Sequence, residues 1–331
     1  MSNCVIAQPI HPIGCELLKA AGINVVYPPE PGLAALAGVI GTADAVIVRD
    51  RFPAQLIDAA PNLKLIANHG TGTDKIDVAH AHAAGIPVAY TPDANVRAVA
   101  EHALMLMLAT ARRAAAADAA TRAGNWRFKY DAEMLSLYDK TLGIVGWGRT
   151  GRLLARMAAQ ALGMRVLAWS PRAGADEFAA LGVQRMASLE ALLRESDVVS
   201  LHRPLRADTA HTLDAAALAC MKADAIVVNT SRGGLIDEAA LVAALGNGRL
   251  FGAGLDVFEC EPLPPESPLC ELPNVLLTPH VAGSSREALI ATASQCARQV
   301  IDALHGRQPD NLVDAGIWAQ RRSQLKSMTQ G

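Results

Sequence analysis

Charge of either sign in excess is missing from this chain. Its 331 residues carry 30 Lys and Arg against 32 Asp and Glu, a formal net charge of −2. So small an imbalance argues against nucleic acid or an anionic membrane as a partner. A long hydrophobic run is missing too: the most apolar stretch, Ala103 to Ala111, is too short to span a bilayer. The start, MSNCVIAQPI, lacks the charged region and apolar core of a signal peptide. The six cysteines (Cys4, Cys15, Cys220, Cys260, Cys270, Cys296) form no C-x-x-C pair and no zinc-type spacing with histidine. No metal site is expected, and the thiols read as buried or idle in a reducing compartment. No repeat of fixed period is present. With 51% hydrophobic and 19% charged residues, the composition is that of a globular protein. The expectation is a cytoplasmic protein long enough for two domains.

What the chain does have is strand–helix alternation, twice over. In the first ninety residues Cys4–Ala7, Asn24–Tyr27, Ala45–Val48, Leu65–Asn68 and Pro87–Ala89 read as strands. Helical stretches near Ile13–Ala21, Gly32–Ile40, Pro53–Ala60 and Ile76–Ala84 separate them. Such alternation predicts a parallel sheet covered on both faces. Residues 95 to about 123 read as one long helix, followed by an aromatic-rich segment, Asn125 to Tyr138, that packs on that helix or on a partner subunit. A second alternating region has strands at Leu142–Val145, Arg165–Trp169, Val198–Leu201, Ile226–Asn229, Ala253–Val257 and Val275–Leu277, six strands suited to a doubly wound dinucleotide fold. A helix, Ser285 to Leu304, and an extended Pro309–Val313 follow, and the polar end from Ala315 reads as a loosely held tail.

The organising stretch is TLGIVGWGRTG, Thr141 to Gly151. Its strand–glycine turn–helix context makes Gly146-Trp147-Gly148-Arg149-Thr150-Gly151 a dinucleotide-binding pattern. Gly146 makes the tight turn, Gly148 admits a pyrophosphate to the backbone, and Gly151 lets helix and strand pack closely. The helix start offers its free N–H groups to the phosphates. About 20 residues on, an acid normally binds the ribose of NAD. Here the strand ends Trp169-Ser170-Pro171-Arg172, with no Asp or Glu at its tip. Without that carboxylate a 2′-phosphate meets no repulsion, and Arg172 offers it a bidentate donor. NADP is therefore favoured over NAD. In the first region, Asn68-His69-Gly70-Thr71-Gly72-Thr73-Asp74 reads either as an anion-binding nest or as an ordinary loop with a helix cap at Thr73 or Asp74.

Three later segments carry the chemistry: Val228-Asn229-Thr230-Ser231-Arg232-Gly233-Gly234-Leu235-Ile236-Asp237, then Gly254-Leu255-Asp256-Val257-Phe258-Glu259-Cys260-Glu261-Pro262, then Leu277-Thr278-Pro279-His280-Val281-Ala282-Gly283. With the nest loop, Val99-Ala100-Glu101-His102, the glycine motif and Leu201-His202-Arg203-Pro204-Leu205, they make the chain resemble the D-2-hydroxyacid dehydrogenase family over nearly its whole length. The resemblance implies a Rossmann nucleotide domain, 98–283, inserted into a flavodoxin-like substrate domain, 1–97 plus 284–331, with the site in the cleft between. It implies a homodimer formed through the nucleotide domain. Family roles carry over to Arg232 as substrate-binding arginine, Glu261 as the acid paired with the catalytic histidine, and His280 as that histidine. A 2-oxo acid needs a cation for its carboxylate and carbonyl, which a guanidinium supplies as a fork. Hydride arrival builds charge on the carbonyl oxygen, so a proton donor near neutral pKa is needed, and an ionised Glu261 in contact would favour the imidazolium and fix its orientation.

By the same resemblance Thr71 and Gly72 match a carboxylate nest, Arg49 a position facing substrate, and His69 lies at the cleft. Asp256 matches an acid near the nicotinamide, with strand-end capping as its alternative. His202, Pro204, Thr209 and Thr230 are expected to line the cofactor groove. Three departures stand out. Arg203 occupies a position that is usually small or apolar, Val96 replaces a common hydroxyl, and Glu261 rather than glutamine argues against the formate-oxidising branch. No regulatory domain is expected after Val313. The expected reaction is reduction of a small 2-oxo acid, glyoxylate or hydroxypyruvate first. Phosphoglycerate or phosphite oxidation and a nucleotide-sensing corepressor are the alternatives.

Overall fold

A computed structural model describes residues 1–322 and divides the chain into two compact units, residues 1–95 with the chain from Ser284 onward, and Val96–Gly283. The first unit holds a five-stranded sheet: β1 Asn3–Ile6, β2 Asn24–Val26, β3 Ala45–Val48, β4 Leu65–Asn68 and β5 Val88–Ala89, in the order β2-β1-β3-β4-β5. Every pairing is parallel. Alternate strand residues feed opposite cores, because side chains on a strand alternate faces. Val46 and Val48 join Leu36, Ile57 and Ile66 on one side, while Ala45 and Ile47 join Leu18, Leu65 and Val300 on the other. Burying each large aliphatic stabilises the fold by roughly 1.5–3 kcal/mol.

Val300, Cys296 and Ala297 come from the helix Arg286–Leu304. That helix covers a sheet made by the first ninety residues, which is why the unit is discontinuous in sequence. The extended segment after it docks on β5 through Tyr90 N to Asn311 O and Val313 N to Val88 O. The end is more firmly held than its polar composition implies. Residues Ala315–Gln320 form a 3₁₀ helix, Trp318 packs on the core, and Arg322 donates to the carbonyls of Ala60 and Ala84. The rest of the expected tail, 323–331, lies outside the described residues.

The second unit holds seven parallel strands: β6 Thr141–Val145, β7 Arg165–Trp169, β8 Gln184–Arg185, β9 Val198–Leu201, β10 Ile226–Asn229, β11 Gly252–Leu255 and β12 Val275–Leu277, in the order β12-β11-β10-β9-β6-β7-β8. Both faces are again packed. β8 is a strand the sequence reading lacked; its two residues are polar and exposed, so no apolar pattern marks them. The expected single long helix is two, Val96–Ala111 and Ala114–Arg122. The break is tertiary in origin. Arg113 takes a left-handed backbone (φ 48°), its guanidinium lies over the Phe251 ring at 4.6 Å, and its Nε donates to Glu133 O. No helix among the described residues is long and apolar enough to cross a membrane.

Candidate active site

The order of the second sheet reverses direction between β6 and β9, the switch point at which open parallel sheets bind ligands. The glycine motif leaves β6 there, and His202 leaves β9. Gly146 has φ +104°, and a Cβ on it would stand 2.5 Å from the His202 carbonyl oxygen, so only glycine fits that turn. A Cβ on Gly151 would stand 2.7 Å from Gly146 O. Among the described residues nothing stands within 4 Å of where a Cβ on Gly148 would be, and no side chain caps the helix Arg149–Leu162 that follows. Open space over bare helix N–H groups fits the pyrophosphate of a dinucleotide.

Other expected cofactor residues fall differently. Trp147 turns inward, stacks on Phe178 at 4.9 Å and donates Nε1 to Glu177 O, so it shapes the core beneath the cradle. Thr209 is 3% exposed, and its hydroxyl is used within its own loop, accepting from Arg206 N and donating to Pro204 O. It holds the turn together. Pro204 is exposed, while Arg149 and Thr150 open the helix. The Thr230 hydroxyl is buried with no hydrogen-bond partner among the described residues. The His202 ring meets Ser200 Oγ at 2.9 Å, and burial pushes its pKa down to about 4. Ser170 and Arg172 follow β7; Arg172 is largely exposed and meets Asp208 at 3.5 Å.

The three catalytic candidates stand beyond the ends of three adjacent strands, β10, β11 and β12. Arg232 is held by its turn. Asn229 donates Nδ2 to Arg232 O and accepts from Ser231 N, and an Arg232 terminal nitrogen donates to Ser231 O at 2.8 Å. Gly233 packs directly on the backbone of Phe258 and Glu259, where a Cβ would overlap main-chain atoms. That contact couples the Arg232 turn to the segment leading to Glu261. Glu261 accepts from Phe258 N and meets His280 Nδ1 at 2.9 Å. His280 adopts a left-handed backbone, φ +52°, which costs about 1–2 kcal/mol. Its N–H is satisfied by Asp256 O and Thr278 O.

Asp256 holds this loop. Its carboxylate is fully buried and accepts from Thr278 Oγ1 at 2.6 Å, Val281 N at 2.9 Å and Ala282 N at 2.8 Å, with His102 Nε2 at 3.5 Å. Burial alone would raise its pKa; the hydrogen bonds from His102, Thr278 and the two amides outweigh that and hold it below the usual carboxylate range. Of the two alternatives, nicotinamide ligand or strand-end cap, the geometry is that of the cap. Gly233, Asn229 and the His102–Thr278 contact (3.0 Å) are site-building features that sequence reasoning had not assigned. The signal for Gly233 and Asn229 was their place beside Arg232.

In the first unit, Arg49 follows β3 and leans to the end of β1, donating its N to Gln8 Oε1 and its guanidinium to Pro9 O. His69 follows β4. Burial, then the charge of Arg49, pushes its pKa down to about 4, and its Nε2 is buried without a partner among the described residues. Asn68 Nδ2 donates to the carbonyls of both Gly70 and Gly72, while Thr71 Oγ1 meets Thr91 O and Asn95 Oδ1. The amides of Thr71 and Gly72 have no partner among the described residues, as a nest requires. Among the described residues no cluster of His, Cys, Asp or Glu suits a metal ion, and all six cysteines are free.

Comparison with known proteins agrees with this geometry. The profile for the NAD binding domain of D-isomer specific 2-hydroxyacid dehydrogenases matches residues 104–282. The chain is 43% identical over 274 residues to the glyoxylate reductase of Korarchaeum cryptofilum, covering 82% of each chain. It is 40% identical over 299 residues to the D-3-phosphoglycerate dehydrogenase of Mycobacterium leprae, covering 89% of this chain and 56% of that one, so it spans little more than half of that relative's length. The crystal structure of an NADPH-dependent glyoxylate/hydroxypyruvate reductase from Sinorhizobium meliloti, in complex with NADP and malonate, superposes with a TM-score of 0.85 at 32% identity, covering 95% of this chain and 97% of that one. The chain belongs to the D-isomer-specific 2-hydroxyacid dehydrogenase family, NAD(P)-dependent oxidoreductases.

Proposed function

We propose that this enzyme reduces glyoxylate or hydroxypyruvate to the D-2-hydroxy acid with NADPH. The observation that carries the reading is the His280–Glu261 contact at 2.9 Å, built beside the Arg232 turn in the same unit as the glycine cradle. The nicotinamide cofactor supplies the hydride when bound. Arg232 orients the substrate carboxylate and carbonyl with its fork of donors. Glu261 holds Nδ1 of His280, which leaves Nε2 to deliver the proton to the carbonyl oxygen. In the reverse direction neutral His280 accepts that proton. In the other unit the Thr71 and Gly72 amides suit a carboxylate, with Arg49 and neutral His69 of that unit as selectors of substrate. The unit of residues 1–95 with the chain from Ser284 onward takes the role of substrate domain, and Val96–Gly283 that of nucleotide domain.

The preference for NADPH rests on Ser170 in place of an acid and on the exposed Arg172. The Sinorhizobium relative was crystallised with NADP. A homodimer is supported by the helix Ala114–Arg122, none of whose residues is fully buried, and by the exposed Trp126, Tyr130 and Tyr138. Six free cysteines suit the reducing cytoplasm. A second reading, phosphoglycerate oxidation, is favoured by the mycobacterial relative.

The test is initial rates with NADPH and NADH on glyoxylate, hydroxypyruvate, pyruvate, an aromatic 2-oxo acid and, in reverse, phosphoglycerate. Turnover with the two small acids, lowered about 10²–10⁴-fold in His280→Ala, is expected. Full activity of His280→Ala, or turnover of phosphoglycerate alone, refutes the reading. Preference for NADH, unchanged in Arg172→Ala, refutes the cofactor assignment only.

A further inference from the structure

The side chain of Arg203 runs in an unexpected direction. The residue leaves β9, yet its guanidinium lies 5.0 Å from the ring centroid of Trp169, the last residue of β7. β9 and β7 flank β6 on opposite sides, so this side chain crosses the end of β6. Its stem passes over the glycine turn: a Cβ on Gly146 would stand 2.8 Å from Arg203 Cγ. A terminal nitrogen is steadied by Thr212 Oγ1 at 3.3 Å. The charge is thereby carried from the phosphate turn to the strand tip where Ser170 replaces the ribose-binding acid.

Other charges gather at the same tip. Arg172 and Arg206 act on Arg203 by repulsion and Asp208 by attraction, while burial is the largest influence depressing its pKa. Asp208 also meets Arg172 at 3.5 Å. Three guanidiniums and one carboxylate make this cluster net positive. Like charges brought together without a counterion cost free energy, and a dianion at that point removes the cost. The 2′-phosphate is the only group that distinguishes NADP from NAD at the adenosine ribose.

We propose that Arg203 and Arg172 form a two-armed clamp for the adenosine 2′-phosphate, and that Asp208 is the internal counterion which the phosphate displaces. This rests on the NADP reading and extends it to a residue on a different strand. Arg203 is held over Trp169, so it is pre-arranged, whereas the more exposed Arg172 is recruited from Asp208.

The experiment is calorimetric binding of 2′,5′-ADP and 5′-AMP to the full chain, for wild type, Arg203→Met and Asp208→Asn, with melting temperatures alongside. Methionine keeps the stem over Gly146 and removes the charge. Wild type binding 2′,5′-ADP at least tenfold tighter than 5′-AMP supports the NADP reading. A loss of about 10- to 100-fold for 2′,5′-ADP in Arg203→Met, with 5′-AMP within about twofold, supports the clamp. Asp208→Asn should tighten 2′,5′-ADP several-fold and leave 5′-AMP unchanged. If wild type shows no preference, the NADP reading and the clamp fall together. If wild type prefers 2′,5′-ADP while Arg203→Met keeps that preference, or weakens both nucleotides equally, the clamp is overturned and the NADP reading stands on Ser170 and Arg172. If Asp208→Asn weakens 2′,5′-ADP, the counterion role is overturned.

Discussion

Replacing Asp256 by asparagine isolates what its buried carboxylate does. The two oxygens have different duties: Oδ1 takes Thr278 Oγ1 and Val281 N, and Oδ2 takes Ala282 N alone. An asparagine keeps its oxygen at the busier site and turns its NH₂ toward the Ala282 amide, donor against donor. One hydrogen bond to a charged acceptor is lost, at about 1.5–3 kcal/mol, and a buried N–H is left unpaired, at about 1–3 kcal/mol. The smaller desolvation of a neutral amide offsets part of this. The net loss expected is about 2–4 kcal/mol, against less than about 0.5 kcal/mol for a surface change. The loop from Thr278 to Ala282 carries His280, so kcat should fall about 10²-fold, the cost of roughly 1 Å of misplacement. Cofactor affinity should hold within a few-fold.

The pH dependence has a definite sign. The folded pKa of Asp256 is depressed, so its contribution is present above the unfolded-state value of about 3.9 and is lost as pH falls through the folded value. The stability gap between wild type and Asp256→Asn should therefore be constant at pH 5 to 8 and close below about pH 4. Urea unfolding at several pH values, with kcat, KM and the NADPH dissociation constant, is the assay. A variant of wild-type stability that has lost cofactor binding would refute the capping role and restore Asp256 as a nicotinamide ligand.

Two further predictions concern the site's framework. Gly233→Ala drives a Cβ into the backbone of Phe258 and Glu259, which no side-chain movement relieves, so a loss of about 1–3 kcal/mol and of most activity is expected. Gly234→Ala meets only Leu205 Cδ2 at 3.2 Å and should retain activity within about twofold; equal behaviour of the two variants would count against the packing argument. His69 and His202, both pushed down to about 4, are neutral at pH 7. As pH falls below about 6.5 the unfolded chain takes up their protons first, so stability declines from there to about pH 4, by at most roughly 3 kcal/mol for each. His202→Gln should flatten its share of that decline in urea melts, and a decline as steep as wild type's would remove His202 from the account.

Much of this was legible before any coordinates. Parallel strands buried on both faces show as short apolar runs, and glycines at fixed offsets mark the nucleotide turn, because those demands fall on adjacent residues. β8 was invisible because two exposed polar residues carry no pattern. The helix break at Arg113 was invisible because Phe251 and Glu133, which draw that arginine, are distant in sequence. Trp147 and Thr209 sit within motifs expected to line a cofactor groove, and their side chains turn to Phe178 and to the turn's own backbone.

The sequence by itself determined the fold class and the glycine turn, and it singled out Arg232, Glu261 and His280 as candidates, since each lies in a local motif at a strand end. Tertiary structure alone decided which groups those residues meet. It gave Glu261 to Nδ1 of His280, spent Asp256 on the loop that bears His280, and locked the Arg232 turn to Phe258 through Gly233. It also carried the Arg203 charge past β6 to Trp169. The physical reason is that neighbouring strands of a parallel sheet are separated in sequence by whole crossovers, so contacts among their ends are set by strand order and packing.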